Sequence, residues 1–462
     1  MRRHLGNQIT RCRNPIVICL LAVCVEDTAR GQFVENPTVH YSVSIPSGSS
    51  FGWAVADSRD IDGDGIRDVL VGANSPGRVH VYSGGTGAFI RTLQANPAEP
   101  GGGQFGYSLS DAGDVDGDQV TDTVVGATVA AGGNGAVYLF SGATGTFIRR
   151  IVGQANGDRF GSSVAGAGDI NSDGRDDILV GAEANDTAGA NSGRAYVYSG
   201  ADGSLLRAYE AESSADSFGG GIANTGDLNG DGFTDHIVGA HNAGATSGGR
   251  AYVYSGQTGA VLLPTLNPVA GASEFGNFFV AGCGDVNNDG TPDLYVGDYA
   301  DSAGRGRAYV FSGLNGATLY SLPGPIAGDG QGPGRGAGDV NGDGHADFIV
   351  GRYTNSSGAP TAGRVVVYSG IDGTVMQTIT SQVGGSNLGF DAVGLGDINA
   401  DQKLDFLLSA AVGDRVYVVS SDAIAAVPTM STWGLGVLAL LVLTIGTLTI
   451  QQRVKGSAIL EG

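Results

Sequence analysis

The sequence predicts an all-β fold: a seven-bladed β-propeller of four-stranded blades, its ring closed by an N-terminal strand, with one C-terminal transmembrane helix beyond it. Three observations carry this reading. An Asp-rich nine-residue loop recurs seven times, opening at Asp60, Asp114, Asp169, Asp227, Asp285, Asp339 and Asp397, in steps of 54, 55, 58, 58, 54 and 58 residues. Each loop runs directly into a short apolar, β-branched segment such as Val69-Leu70-Val71 or Ile178-Leu179-Val180. Four strand-like segments fit within every period. A spacing this regular marks one supersecondary unit copied along the chain, and four strands per copy mark a propeller blade.

Within the unit the first strand begins at Phe51-Gly52, Phe105-Gly106, Phe160-Gly161, Phe218-Gly219 or Phe275-Gly276 and is rich in Gly, Ala and Ser. Such small side chains suit strands crowded round a central axis. The second strand is the apolar run after the loop, ending in a Val-Gly-Ala phrase. The third alternates, as in Val137-Tyr138-Leu139-Phe140, and a Gly-rich hairpin leads to a fourth such as Phe147 to Val152.

The last copy stops short. After Val416 to Ser420 the chain turns to a Pro-containing segment and makes no fourth strand. The stretch Val39 to Ile45 alternates like a strand and has no blade of its own. It is expected to complete blade seven and remove the exposed sheet edge there.

Each loop offers oxygen-bearing side chains at its first, third, fifth and ninth positions, the alternation that lets several oxygens converge on one hard cation. The candidate ligands are Asp60, Asp62, Asp64 and Asp68 in the first copy and Asp114, Asp116, Asp118 and Asp122 in the second. The third supplies Asp169, Asn171, Asp173 and Asp177, and the fourth Asp227, Asn229, Asp231 and Asp235. The fifth supplies Asp285, Asn287, Asp289 and Asp293, and the sixth Asp339, Asn341, Asp343 and Asp347. Asp397, Asn399, Asp401 and Asp405 complete the set. Calcium is the expected ion, up to seven per chain, with the seventh position adding its backbone carbonyl. Gly65, Gly174, Gly232, Gly290 and Gly344 at the sixth position permit the sharp positive-φ turn; Gln119 and Gln402 replace it in two copies, whose sites are expected to be weaker or strained. An EF-hand would need flanking helices and a Glu at position twelve, and neither pattern is present.

Charge agrees. The formal net charge is −21, and the ligand positions hold 23 Asp (four in each of two loops, three in each of five), half of the 46 acidic residues. Seven divalent ions would leave the chain at about −7, ordinary for a soluble domain. The negative balance argues against nucleic acid as a partner.

The Phe-Gly, the Asp loop, Val-Gly-Ala in place of Gly-Ala-Pro and the Tyr-Val-Tyr third strand together resemble the FG-GAP repeats of the integrin α-subunit propeller, over about residues 39–420. The resemblance implies seven blades with calcium in the loops joining first and second strands. Integrins occupy only some blades, whereas all seven loops here look competent. The leg domains of an integrin are not recognisable, so heterodimeric signalling is not implied.

Residues 1–31 read as a signal peptide, with Arg2, Arg3, Arg11 and Arg13 ahead of the apolar Ile16 to Val25. Three of the four cysteines lie there, and Cys283 occupies a small-residue position of the repeat, so no intramolecular disulfide is expected in the mature domain. Residues 421–434 form a linker and sorting motif, 435–452 a transmembrane helix and 453–462 a basic cytoplasmic tail. Val427-Pro428-Thr429-Met430 resembles bacterial IPTL-CTERM sorting signals except at its first and last positions. That resemblance implies an exosortase-like processing enzyme as a partner; a plain membrane anchor is the alternative. Either way the propeller lies outside the cytoplasm.

Calcium loops and variable loops fall on opposite faces of such a ring. The variable loops lengthen in the middle blades, and blades five and six replace Val-Gly-Ala with Asp298-Tyr299 and Arg352-Tyr353 after Val-Gly. Asp298, Tyr299, Arg352 and Tyr353 are therefore the candidate ligand-binding patch. Blade six also lacks Phe-Gly, having Gly332-Pro333-Gly334. Arg78, Arg194, Arg250, Arg307, Arg364 and Arg415 open third strands in six of seven copies, which points to a structural duty. No nucleophile elbow, zinc spacing or phosphate loop is present, so catalysis finds little support. The expectation is an exported calcium-binding propeller that binds protein or glycan at the cell surface in adhesion or envelope organisation; the alternative is a calcium-dependent polysaccharide-degrading enzyme working from the loop face.

Overall fold

The computed structural model describes residues 32–46 and 48–421, and the expected signal peptide, sorting motif and transmembrane helix lie outside them. Among the described residues no helix is long and apolar enough to cross a membrane. Seven antiparallel sheets follow one another in chain order, each adding its strands in sequence. Blade three is typical, with Val164–Gly168, Asp177–Ala182, Arg194–Tyr198 and Leu205–Glu210. Blade four departs from it. Its ordered sheet has three strands, and the outer segment, interrupted by Pro264, touches Arg250–Tyr254 through the bridges Tyr254 to Val261 and Ala251 to Leu266. Proline removes the ladder donor that a regular fourth strand would need.

The closing strand is where the sequence puts it. Val39–Ser44 pairs antiparallel with Arg415–Ser420 as the fourth strand of blade seven. Farther upstream, the Glu35 carboxylate accepts from the Thr380 amide and hydroxyl, both at 2.7 Å, so the leading segment also straps the outer edge of blade six.

The core lies between blades. Second strands are buried along their whole length, as in Asp68–Ala73 and Asp177–Ala182. Leu70, Val79 and Val81 of blade one pack with Phe105, Leu109 and Val125 of blade two. The Phe of each Phe-Gly is fully buried, edge-on to a third-strand Tyr, as in Phe105–Tyr138 at 5.4 Å and Phe275–Tyr309 at 5.0 Å. The Gly of Val-Gly-Ala has a steric cause. A Cβ on Gly181 would stand 2.1 Å from the carbonyl oxygen of Gly219 in the next blade's Phe-Gly. In blade seven this position is Ser409, whose hydroxyl donates to the carbonyl of Gly52, and the same seam is closed by a hydrogen bond.

Blades are also clasped at their outer strands. The guanidinium of Arg91 donates to the Gly142 carbonyl at 3.0 Å, Arg149 to Ala201 at 2.7 Å and Arg207 to Gly256 at 2.7 Å, each reaching the hairpin of the following blade. The third-strand arginines instead find partners within their own blade or repeat unit: Arg194 pairs with Glu210 at 2.7 Å, Arg307 with Asp301 at 2.8 Å, and the Arg364 guanidinium donates to the Thr380 hydroxyl. Cys283 is buried, and burial raises its thiol pKa well above the usual value.

Candidate functional site

The seven acidic loops fold alike because each carboxylate collects backbone N–H groups of its own loop. The first-position Asp accepts from the fifth-position amide on one oxygen and the sixth-position amide on the other. Asp60 does so from Asp64 at 3.1 Å and Gly65 at 2.7 Å, and Asp397 from Asp401 at 3.1 Å and Gln402 at 2.8 Å. The fifth-position carboxylate accepts from the seventh-position amide, as in Asp64 from Ile66 and Asp173 from Arg175. These bonds curl the chain, and in the first two loops the first, third and ninth carboxylates come together around one point, without the fifth-position Asp64 or Asp118.

The ninth-position Asp does more than line that point. One oxygen of Asp68 accepts from the Ile61 amide at 2.7 Å and the other from the Gly84 amide at 3.1 Å, so it latches the loop to the hairpin between third and fourth strands. Asp122, Asp177, Asp235, Asp293 and Asp347 make the same pair of contacts. In blade seven, His40 of the closing strand takes the hairpin's place, with Nε2 2.8 Å from Asp405. Burial raises the carboxyls of Asp68 and Asp293 to about 6 and of Asp122 and Asp177 to about 7, against the opposing pull of these backbone bonds. A cation would relieve that penalty.

Carboxylate oxygens of Asp60, Asp62 and Asp68, and of Asp114, Asp116 and Asp122, lie within 4.8 Å of one another. Two oxygens bound to one calcium at about 2.4 Å can be at most about 4.8 Å apart, so both groups fit a bound ion. In four of the five copies with Asn at position three, the Asn amide donates to the fifth carboxylate, as from Asn229 to Asp231 at 2.8 Å. Gln119 and Gln402 take φ of 70° and 68° at the sixth position, so the strain expected there is present. Sequence reading missed that the fourth position is left-handed too, with Ser172, Asn288 and Ala400 at φ of 60°, 57° and 59°.

The opposite face carries a different chemistry. An axial cavity of about 870 Å³ runs from this face, where half-buried aromatic side chains touch in a closed circuit around it, down to Asp57, Arg59 and Asp176 beside the acidic loops. Trp53 packs on Tyr107 at 5.7 Å, Tyr107 on Phe278 at 6.1 Å and Phe278 on Phe279 at 6.4 Å. Phe279 meets Tyr299 at 6.2 Å, Tyr299 meets Tyr353 at 6.3 Å, and Phe390 joins Tyr353 at 5.7 Å to Trp53 at 5.1 Å. Strands of about six residues separate rim and acidic loops by about 20 Å.

The predicted patch divides in two. Tyr299 and Tyr353 stand in this rim. Asp298 and Arg352 are interior residues: Asp298 is fully buried and accepts from the Ser273 and Glu274 amides, at 3.2 and 3.0 Å. Arg352 donates to Gln331 at 2.7 Å and to the Tyr368 hydroxyl at 2.5 Å. Gln331 occupies the place of the missing Phe, opposite Arg352, so this polar pair replaces a Phe–Ala contact in the core of blade six.

Beside the rim, in blades three to five, lies a second pocket lined by Arg159, Glu183, His241 and Asn277. Arg159 is paired with Glu183 at 2.6 Å and lies over the Tyr107 ring, 5.6 Å from its centroid. Burial holds the Glu183 carboxyl above its ordinary pKa and His241 below.

The FG-GAP repeat family matches residues 160–198, 218–254 and 336–368, and the FG-GAP-like repeat family matches 60–125 and 285–350. The chain is 32% identical to integrin alpha-8 of Gallus gallus over 233 residues, covering 47% of this chain and 22% of that protein. It is 35% identical to integrin alpha-IIb of Homo sapiens over 215 residues, 43% of this chain and 20% of that protein, and 36% identical to integrin alpha-PS5 of Drosophila melanogaster over 183 residues, 36% and 18%. The matches thus span about a fifth of the length of these relatives. Fold, repeats and relatives together show an integrin-like FG-GAP β-propeller.

Proposed function

We propose that this integrin-like propeller is an exported, calcium-stabilised module that binds a protein or glycan ligand at the cell surface, in adhesion or envelope organisation. The observation that carries the reading is the division of labour between its faces. The acidic loops gather on one, where a bound cation would brace each blade. The other carries one mouth of the axial cavity, rimmed by half-buried aromatic side chains, a make-up suited to a ligand site. Calcium would offset repulsion among the loop carboxylates, with site affinities of roughly 10⁻⁴ to 10⁻³ M as in extracellular modules. Export by the N-terminal leader, and membrane retention or exosortase-like processing at the C-terminal segment, complete the proposal.

The full chain, immobilised in calcium, is expected to retain cell-envelope fragments and to release them when Tyr353→Ala replaces the wild type. Equal retention by a bare surface would overturn the adhesive reading. Conversion of retained polysaccharide to shorter chains would favour the degrading enzyme instead.

A further inference from the structure

We propose that the pocket beside the rim binds one divalent transition metal ion, held by Glu183, His241 and Asn277, at a site chemically distinct from the acidic loops of the opposite face. The inference does not rest on the rim being a ligand face.

The pocket, of about 450 Å³, lies where adjacent blades depart from the repeat. Two residues after the Phe that opens the first strand, blades one, two and seven carry Trp53, Tyr107 or the equivalent Phe390, whereas blade four has Gly220. The absent side chain leaves a gap. The residue after Val-Gly-Ala is Glu183 in blade three and His241 in blade four, against Asn74 and Thr128 in blades one and two. Blade five adds Asn277, two residues after Phe275. Polar side chains of three blades thus meet where the first-strand aromatics are interrupted.

Their lone pairs converge. A Cβ on Gly220 would stand 3.0 Å from His241 Nδ1, 3.1 Å from Glu183 Oε2 and 3.3 Å from Asn277 Oδ1. Glu183 meets Arg159 through its other oxygen, at 2.6 Å, so Oε2 is the one turned to the gap. The Asn277 amide donates to Glu274 Oε2 at 2.8 Å and to the Tyr299 hydroxyl at 3.1 Å, which orients the side chain with Oδ1 toward Gly220. Asn277 is 6% exposed, and neither its Oδ1 nor His241 Nδ1 has a hydrogen-bond partner among the described residues. Buried polar atoms left unmatched are costly and point to a group that arrives from outside.

The chemistry of these atoms selects the group. Glu183 and Glu274 bring two carboxylates to the pocket against the one guanidinium of Arg159, so the site draws a cation. Calcium takes six to eight oxygens, and only three protein donors converge here, one of them a nitrogen. An imidazole nitrogen with two oxygens, and pocket volume left for water, suits the first-row transition ions instead. Such an ion would stand over the Gly220 Cα, in the space that a side chain would fill. Glu274 would act through Asn277, holding the amide so that its oxygen faces the ion.

Equilibrium dialysis of the full chain against zinc, in excess calcium to keep the acidic loops filled, tests this directly. The informative variant is Gly220→Ala. It closes the gap without removing a ligand, and Gly220 is not at positive φ, so its backbone accepts alanine. Wild type is expected to bind one more equivalent of zinc than Gly220→Ala; zinc held elsewhere, as by the leader residues Cys12, Cys19 and Cys24, cancels in that difference. Glu274→Gln should weaken the extra equivalent roughly tenfold. His241→Gln takes the place of Gly220→Ala if the latter lowers the unfolding midpoint. Equal zinc in wild type, Gly220→Ala and His241→Gln, or displacement of the extra equivalent by calcium, overturns the inference.

Discussion

The hydroxyl of Tyr41 donates to the carbonyl of Gly84 at 2.8 Å, joining the first described strand to the hairpin of blade one. Tyr41 pairs with Val418 in the register that Arg91 holds with Val81, and Arg91 clasps the next blade in the same manner. The closing strand therefore supplies both the missing ladder and the missing clasp. Tyr41 is 5% exposed. Tyr41→Phe should cost about 1–2 kcal/mol by orphaning the carbonyl, and Tyr41→Ala about 3–5 kcal/mol, read by urea unfolding. Equal midpoints for both variants and wild type would mean that closure does not depend on this strand.

Ligand and latch positions of the acidic loops should separate by mutation. Asp64 is exposed and bonds only within its loop and weakly to Ser83, whereas Asp68 is fully buried and ties two segments together. Asp64→Asn is expected to reduce the stabilisation gained from calcium while leaving metal-free stability within about 0.5 kcal/mol. Asp68→Asn should lower metal-free stability by about 1–3 kcal/mol, because an amide cannot accept on both sides. Thermal unfolding with and without calcium distinguishes the two.

Metal-free stability should fall as pH rises. Folding lifts Asp68 and Asp293 to about 6 and Asp122 and Asp177 to about 7 from 3.8, so between about pH 4 and 7 the folded state holds protons that the unfolded chain has released. This contribution is fully present below about pH 4 and lost as pH passes through about 7. Calcium binds the ionised form and should reverse the slope. Unfolding midpoints in chelator that rise from pH 4 to 7 would contradict this.

Gln119→Gly and Gln402→Gly should each stabilise by roughly 0.5–1 kcal/mol, since both side chains now sit at φ near 70° where five other loops have Gly. The gain should appear in chelator as well as in calcium, because backbone strain is independent of the ion. Destabilisation by either change would place the role of the Gln side chain elsewhere.

Much of the fold was legible because the repeat is written in chemistry that has few alternatives. Nine-residue Asp loops set the period, and the incomplete last unit implied that residues near Val39 would close the ring. What escaped was whatever breaks the repeat. Pro264 dissolves the fourth strand of blade four, and a buried Gln331–Arg352 pair stands where Phe and Ala pack in other blades. Asp298 and Arg352 read as a surface patch because they interrupt a motif beside two tyrosines. Strand alternation, however, sends each of them inward. The aromatic circuit was hidden because only three of its members, Trp53, Tyr107 and Phe390, share a first-strand position, while Phe278, Phe279, Tyr299 and Tyr353 come from other positions that ring closure brings beside them.

The most direct measurement is the thermal unfolding midpoint of the full chain in calcium and in excess chelator at neutral pH. If calcium bridges the loop carboxylates as proposed, the midpoint is lower in chelator and restored by calcium. An identical midpoint in both would contradict the claim that these loops brace the propeller by holding calcium.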